Sequence, residues 1–310
     1  MAFFCVYFKE VNCYQKNVLA VVAAAATGVQ VGSAIVATRF VIDQTDPVTL
    51  GFLRYLIGFC LLLIPAWRAS REWFSRRDML PIAALGITQF GILIVLMNYG
   101  LQFIPSARAA LIFATVPLLT MTLGALIGYE RMIVLKTVGV LLTIVGVGFA
   151  LGEKVLLPGA TGVGWIGELA VLASALCAAV CSVLYRPYLI KYPTLQVSAF
   201  AMLASVGFLA LAAGFEGSFS SSFRFTTTGW LAVFFIGASS AIGYYMWLWA
   251  LGHASPTQVT VFLSLSPITS AALGALLLAE PISVLFIAGL ISVILGLWLA
   301  HRPQQRSSRA

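Results

Sequence analysis

The stretch LGALIGYE at residues 123–130 returns as LGALLLAE at residues 273–280, with the same residue at five of the eight positions. Each copy closes a long apolar segment with a glutamate. Prolines and glycines recur at the same spacing of 150 residues, as the pairs Pro117 and Pro267, Gly139 and Gly289, and Gly146 and Gly296. A spacing shared by several residue types that shape the backbone predicts an internal repeat.

The composition of the chain is typical of a membrane protein. Of its 310 residues 61% are hydrophobic and only 9% are charged, whereas soluble domains carry about 25% charged residues. The mean hydropathy is +1.02. A segment that crosses lipid needs about 20 apolar residues and must satisfy its own backbone hydrogen bonds. Because the apolar runs are long and do not alternate with polar residues, we predict an all-α integral membrane fold rather than a barrel.

Breaks between the apolar runs predict ten transmembrane helices, numbered 1 to 10 along the chain. They are expected at residues 17–41, 47–67, 79–101, 105–128, 131–151, 163–186, 193–213, 228–250, 255–278 and 281–301. The two halves of the repeat are then residues 17–151, with helices 1–5, and residues 163–301, with helices 6–10, joined by a linker at 152–162 and flanked by an N-terminal lead at 1–16 and a basic tail at 302–310.

Each predicted half contains five helices, which is an odd number. The second half therefore enters the membrane from the side opposite to the first, and the two form an inverted repeat around a central cavity. Two similar halves of opposite orientation can exchange conformations and open a shared site to each side of the membrane in turn. This arrangement is typical of transporters.

The lysines and arginines are distributed unevenly between the two sides of the predicted topology. With the N-terminus inside, thirteen lie in the inner segments and four in the outer ones, while Arg54 lies within helix 2. This excess predicts that both termini are cytoplasmic, in a bacterial inner membrane. The net charge of +8 forms no continuous basic stripe, so we predict no nucleic-acid partner.

Four segments carry a resemblance to a known family. They are NYGLQFIPSARAALIFATVPLLTMTLGALIGYE at 98–130, TVGVLLTIVGVGFAL at 137–151, WALGHASPTQVTVFLSLSPITSAALGALLLAE at 249–280 and IAGLISVILGLWLA at 287–300. In these segments the chain resembles the EamA type of the drug/metabolite transporter superfamily. The resemblance implies two five-helix repeats around a cavity lined by helices 1, 3, 4, 6, 8 and 9. It also implies export of amino acids, drugs or other small metabolites.

Polar and aromatic residues within the predicted helices are candidates for a substrate-binding site, because such groups at lipid depth should face a cavity or another helix. Ser240, Tyr244 and Trp247 share one face of helix 8. The residues expected to oppose them are on helix 3: Gln89, Asn98 and Tyr99. For single members the alternatives are an interfacial aromatic belt or helix packing. The full candidate set is Gln30, Ser33, Gln89, Asn98, Tyr99, Arg108, Ser240, Tyr244 and Trp247.

Charged residues near the helices have several readings. Arg108, in the first turn of helix 4, is expected to bind an anionic substrate group, to pair across an outer gate or to reach lipid phosphates. Arg54 fits a packing or a lipid contact equally well. Glu168, near the outer end of helix 6, is expected either to couple transport to protons or to lie at the outer membrane interface. The repeated Glu130 and Glu280 are expected to cap the N-termini of helices 5 and 10, with titration as the alternative.

The repeated prolines are candidate hinges. Pro117 and Pro267 fall near the middles of predicted helices 4 and 9, where each removes an intrahelical hydrogen bond and can kink its helix. The alternative for both is a bend that serves packing alone.

These features predict a secondary transporter for amino acids or related small metabolites. The alternatives are a channel-like or facilitative pore and an intramembrane enzyme. Two histidines without an HExxH motif or a nucleophile–base pair argue against an enzyme. Five cysteines without a CxxC pair predict no metal site, and we expect no cofactor. The expected partners are a small-molecule substrate and membrane lipid, with the chain a monomer or a weak homodimer.

Overall fold

The computed structural model describes residues 2–68, 74–128, 134–156, 165–215 and 225–301, and every regular element within these ranges is helical. Residues 157–162 of the predicted linker at 152–162, the tail at 302–310 and Glu130 lie outside the described residues. The helices are helix 1 (Ala2–Val41), helix 2 (Pro47–Arg68), helix 3 (Arg76–Leu101), helix 4 (Ser106–Leu126), helix 5 (Val134–Leu156), helix 6 (Trp165–Lys191), helix 7 (Thr194–Phe215), helix 8 (Thr227–His253), helix 9 (Pro256–Leu278) and helix 10 (Val284–His301).

Seven helical segments in the described ranges are long and apolar enough to cross a membrane, and they include helices 3, 4, 6, 7, 8 and 9. Shorter apolar helical stretches at Pro47–Leu63, Thr137–Phe149 and Val284–Gly296 fall within helices 2, 5 and 10. The prediction of a multi-pass, all-helical membrane protein is therefore confirmed.

Large apolar side chains on the outside of the bundle agree with a lipid environment. Phe215 is 91% exposed, and Leu126, Leu276 and Val284 are each 79% exposed. In water such a surface would be an aggregation hazard, but lipid tails solvate it. Buried polar residues such as Asn98 instead face the interior of the bundle.

Helix 1 is longer than the sequence pattern predicts. It begins at Ala2 rather than near residue 17. The segment 2–16 contains neither proline nor glycine, so no residue in it favours a break between the lead and the apolar run.

Helices 4 and 9 are each interrupted just before their repeated proline. Helix 4 consists of Ser106–Phe113 and Val116–Leu126, with Pro117 at the second position of the latter segment. Helix 9 passes through a 3₁₀ turn at Val261–Ser264, and Pro267 is the third residue of the segment that follows. A proline in the first turn of a helix loses no hydrogen bond, because that turn's N–H groups have no intrahelical acceptor.

The contacts between helices are symmetric with respect to the two halves of the chain. Helix 1 contacts helices 8 and 9, helix 6 contacts helices 3 and 4, helix 2 contacts helices 7 and 8, and helix 3 contacts helix 7. Helix 5 packs on helix 10 and helix 4 on helix 9. When each helix is exchanged for the helix five places away, this set of neighbours maps onto itself.

The repeated glycines lie where helices 5 and 10 cross. A Cβ atom on Gly146 would lie 2.7 Å from the carbonyl oxygen of Gly289, and one on Gly296 would lie 2.5 Å from that of Gly139. The two contacts are equivalent in the repeat, because Gly296 is the counterpart of Gly146 and Gly139 is the counterpart of Gly289. Small residues of this kind allow helix backbones to approach closely in lipid.

Candidate functional site

Helices 2, 3 and 8 bring a group of polar and aromatic side chains together inside the bundle, which we call the central cluster: Arg54, Tyr55, Phe90, Ser240 and Tyr244. The Nε of Arg54 donates to the Oγ of Ser240 at 2.7 Å, and the hydroxyls of Tyr55 and Tyr244 lie 3.0 Å apart. The ring of Phe90 stands nearly perpendicular to that of Tyr244, with 4.6 Å between ring centroids. The cluster combines a cation, hydroxyls and aromatic faces.

A glycine on helix 8 allows helix 2 to approach the cluster. A Cβ atom on Gly237 would lie 2.7 Å from the Cβ of Ile57 and 3.1 Å from the carbonyl oxygen of Arg54. Ser240 and Tyr244 follow on the same helix and are four residues apart, which puts them on one face. The sequence pattern predicted this shared face of helix 8. It did not identify Arg54 and Tyr55 as its partners, although a charged residue in an apolar helix was the available signal.

Arg54 is an interior residue rather than a lipid contact. It is 6% exposed, and Ser240 is fully buried. The Oγ of Ser240 accepts from Arg54 and donates to the carbonyl oxygen of Ile236 at 2.6 Å. The serine hydroxyl therefore links the guanidinium to the backbone of helix 8.

The candidates on helix 1 lie beside helix 8. The Nε2 of Gln30 is 3.3 Å from the Oγ of Ser239, and a Cβ atom on Gly243 would clash with the Gln30 side chain. Ser33 instead donates to the carbonyl oxygen of Val29 in its own helix, at 3.0 Å. Gln30 thus connects helices 1 and 8, whereas the hydrogen bond of Ser33 stays within helix 1.

Gln89 lies in an irregular part of helix 3. Residues Ile87–Ile92 form a π-helical segment, and both Gln89 and Phe90 are buried there. The Oε1 atom of Gln89 has no hydrogen-bond partner among the described residues. Segments of this type widen a helix locally and often mark functional sites.

Asn98 and Tyr99 do not join Ser240 and Tyr244, contrary to the expected grouping. The Nδ2 of Asn98 donates to the carbonyl oxygen of Pro47 at 2.9 Å, which ties helix 3 to the start of helix 2. Tyr99 is 38% exposed and lies at a cavity of about 460 Å³ that Pro47 and Gln102 also line. Residues along helix 3 are separated by 1.5 Å of rise each, so Asn98 lies well beyond Phe90, which meets Tyr244.

Trp247 packs in the apolar interior one turn beyond Tyr244 and is 4% exposed. Its burial excludes an interfacial belt position for this residue.

Arg108 and Glu168 form an ion pair between helices 4 and 6. The Nη1 of Arg108 lies 3.8 Å from the Oε1 of Glu168, and the Glu168 side chain is only 5% exposed. The sequence pattern does not predict this pair, because Arg108 and Glu168 lie far apart in the chain and in different helices. The contact pairs Arg108 with another helix, and its expected role in an outer gate stays a prediction.

Glu280 caps a different helix from the one expected. Its Oε1 accepts from the backbone N–H of Ser106 at 3.0 Å, and its Oε2 accepts from the Ser106 hydroxyl at 2.6 Å. It therefore caps helix 4 rather than helix 10, and Ser283 bonds the N–H of Phe286 at the start of helix 10. The reason is the left-handed turn at Ala279, with φ of 53°, which redirects the chain before Glu280.

The N-terminus of helix 9 is capped locally. The Oγ of Ser255 accepts from the N–H of Gln258, and the Oε1 of Gln258 accepts from the N–H of Ser255, both at 3.3 Å. This reciprocal arrangement is a capping box. Gln258, the repeat counterpart of Arg108, also lines a cavity of about 360 Å³ with Val21 and Phe262.

Each end of the bundle also has further polar contacts between helices or the turns beside them. Gln44 accepts from the N–H of Thr226 at 3.0 Å, between helices 1 and 8. At the opposite end, Lys191 and Tyr192 both donate to Asp78 at the start of helix 3. Among the described residues, no group of three or more His, Cys, Asp or Glu side chains is arranged to hold a metal ion.

Comparison with known proteins gives matches along most of the chain. The model of the EamA-like transporter family matches residues 18–152 and again residues 165–302. An uncharacterized transporter of Archaeoglobus fulgidus is 26% identical over 274 residues, covering 87% of this chain and 94% of that protein. The transporter YoaV of Bacillus subtilis, also uncharacterized, is 24% identical, covering 85% and 90%.

Two further matches concern export and fold. A protein of Streptantibioticus cattleyicolor described as a probable terminal-alkyne amino-acid exporter is 27% identical over 285 residues, covering 91% of this chain and 93% of that one. A solved crystal structure superposes with a TM-score of 0.72 at 21% identity, covering 94% of this chain and 98% of its own. At that identity the likeness concerns the fold alone.

Proposed function

The chain belongs to the EamA-like transporter family, and we propose that it is a secondary transporter that exports amino acids or closely related metabolites by alternating access. The observation that carries this proposal is that one family model matches each half of the chain, at 18–152 and 165–302. Two related units of five helices each would have opposite orientations in the membrane. The symmetric set of helix neighbours supports this inverted repeat.

The proposed domains follow from the repeat. Residues 17–151 and 163–301 form the two units, joined by the linker at 152–162, with both termini cytoplasmic in a bacterial inner membrane. The end of the bundle that carries Ser106 and Glu280 then faces outward, and the end that carries Ser255 faces the cytoplasm. A reporter fused to Ala310 should be active only if it works in the cytoplasm. Activity of a periplasmic reporter there contradicts the orientation and the inversion together.

Amino acids are the proposed cargo. One relative is named as a probable exporter of an unusual amino acid, and the central cluster offers hydroxyls and aromatic faces that suit a small polar molecule with an apolar part. We propose that the substrate path is formed by the candidate set named from the sequence: Gln30, Ser33, Gln89, Asn98, Tyr99, Arg108, Ser240, Tyr244 and Trp247.

The function is tested with the purified full chain in liposomes. Each of the twenty protein amino acids is loaded inside, and its exit is followed by mass spectrometry. We expect saturable, stereoselective flux of at least one of them, and accumulation of the same compound outside cells that overexpress the protein. Flux that never saturates and does not distinguish L from D forms supports a channel instead. Absence of all amino-acid flux rejects the proposed cargo.

Gating is proposed to involve the Arg108–Glu168 pair and the interrupted helices. Protonation of Glu168 from outside would neutralise its carboxylate and release Arg108, and Pro117 and Pro267 would act as hinges as helices 4 and 9 move. The Glu168→Gln variant should lose flux driven by an imposed proton gradient while it retains counterflow exchange. If the variant retains both activities, Glu168 is not the coupling residue.

A further inference from the structure

The buried guanidinium of Arg54 has an unusual electrostatic environment. Within the described residues, ion pairs join Arg39 to Asp43, Arg108 to Glu168 and Lys191 to Asp78, but no carboxylate pairs with Arg54. A cation at this depth in a membrane protein is costly unless another charge or a wet cavity compensates it.

Only one of the five N–H groups of Arg54 has a described acceptor. Its Nε bonds Ser240, and the hydrogen bonds of the described residues include none from either Nη atom. Because Nε is held by Ser240, the two Nη atoms are left available as donors on the far side of a planar group. That geometry suits the two oxygens of a carboxylate.

Aromatic side chains lie directly beside this cation. The Cζ of Arg54 is 5.6 Å from the centroid of the Tyr55 ring, whose hydroxyl meets that of Tyr244. Tyr244 is only partly buried and packs against Phe90. A small molecule with a carboxylate at Arg54 would therefore place its apolar or cationic part against aromatic faces.

We propose that Arg54 binds the carboxylate of the transported molecule, so that the cargo itself supplies the missing counter-charge. Ser240 positions the guanidinium, and Tyr55 and Tyr244 form the adjacent wall. The substrate class is a small molecule with one carboxylate, such as a zwitterionic amino acid. This inference rests on the function proposed above and assigns the anionic contact to Arg54 rather than to Arg108, whose charge Glu168 already faces.

The test compares each of the twenty protein amino acids, one at a time, with its own methyl ester, which lacks the negative charge of the α-carboxylate. Proteoliposomes contain the wild type, Arg54→Gln, Arg54→Lys or the control Arg39→Gln, which removes an arginine at the helix end that is paired with Asp43. We expect the wild type to prefer the acid over its ester by about tenfold, as a charge-assisted bidentate contact requires.

The variants should separate recognition from structure. Arg54→Gln should raise the apparent KM for the acid about tenfold and leave that for the ester unchanged, because only the acid uses the cation. The apparent KM of Arg54→Lys for the acid should fall between those of the wild type and Arg54→Gln, since lysine keeps the charge but lacks the planar fork. Arg39→Gln should match the wild type. If Arg54→Gln does not fold, the acid-to-ester ratio of the wild type and the Arg54→Lys variant decide the question.

Three results would overturn the assignment. Equal transport of acids and esters by the wild type, or an unchanged KM for the acid in Arg54→Gln, removes the carboxylate contact from Arg54 but leaves the transporter proposal intact. If the wild type moves no amino acid at all, the proposed cargo fails, and the assignment of Arg54 fails with it.

Discussion

The N-terminus of helix 4 and that of helix 9 occupy equivalent places in the two halves, yet they are held in different ways. Helix 4 is capped by Glu280 from the far end of helix 9, and its Arg108 pairs with Glu168 of helix 6. Helix 9 is capped by its own Ser255 and Gln258. The N-terminus of helix 4 is therefore held by charged groups of other helices, whereas that of helix 9 is stabilised by residues of its own first turn.

This difference suggests which end of the bundle opens more readily. If helix 4 moved away from its neighbours, the hydrogen bonds between Ser106 and the Glu280 carboxylate would break, and so would the ion pair of Arg108 with Glu168. A capping box moves with its helix, so helix 9 can shift without losing those bonds. The cavity of about 360 Å³ beside Gln258 lies at this second end. A cavity of about 460 Å³ beside Tyr99 lies at the Ser106 end, so the contrast between the ends concerns how firmly each helix is held. We infer that helix 4 is tied to its neighbours more firmly at the Ser106 end than helix 9 is at the Ser255 end.

The largest effect is expected from removing the carboxylate that ties helix 4 to helix 9. Glu280→Ala should lower the free energy of unfolding by about 3 kcal/mol, because two donors of the buried Ser106 lose a charged acceptor. Denaturant unfolding of the full chain in detergent measures this change. The control Asp43→Ala removes a carboxylate that is 70% exposed and should cost less than about 0.5 kcal/mol. Equal effects of the two substitutions would mean that helix 4 is not held by its cap.

A second, smaller effect is expected from the ion pair. A double-mutant cycle with Arg108→Met and Glu168→Gln should give a coupling energy of about 1.5 kcal/mol, because the Glu168 carboxylate is almost fully buried beside the guanidinium. The cycle uses the same unfolding measurement. Additive single substitutions, within about 0.3 kcal/mol, would show that the two charges do not stabilise each other.

The capping box of helix 9 should contribute less than either contact of helix 4. Ser255→Ala should cost about 0.7 kcal/mol, since it removes one long hydrogen bond at a partly solvated helix end. Hydrogen exchange of the amides of residues 257–259 should become faster in this variant. A cost as large as that of Glu280→Ala would abolish the contrast between the two ends.

The smallest change in stability is expected from the prolines. Pro117→Ala and Pro267→Ala should each change the free energy of unfolding by less than about 0.5 kcal/mol, because both residues stand in a first turn where the missing N–H costs nothing. Transport should nevertheless become slower if the breaks serve as hinges. Wild-type flux in the double variant, measured in liposomes, would reduce the breaks to packing bends.

Several features of the fold could be predicted from the sequence, because they depend on local chemistry. Apolar runs and their breaks located the helices, and spacing along helix 8 predicted that Ser240 and Tyr244 share a face. Helix 1 is longer than the hydropathy pattern predicts, since a change from charged to apolar residues does not end a helix unless the backbone also changes. The breaks in helices 4 and 9 precede the prolines rather than coincide with them.

The partners of the polar residues were not predictable in the same way. Ser106 and Glu280 are 174 residues apart, and Arg54 and Ser240 are 186 apart. Helical periodicity tells which residues share a face, but it does not tell which helix that face meets. For Glu280 the sequence order therefore predicts the start of helix 10, which is wrong, because the carboxylate bonds Ser106 at the start of helix 4.

By itself, the sequence determined that this chain is a helical membrane protein with two related halves, since hydropathy and repeat spacing are properties of consecutive residues. Only the tertiary structure decided that Arg54 meets Ser240, that Arg108 meets Glu168 and that Glu280 caps helix 4. These contacts depend on how each helix is rotated and which helices become its neighbours. In lipid those rotations follow from close packing and from the need of every buried polar group for a partner, and both are properties of the assembled bundle.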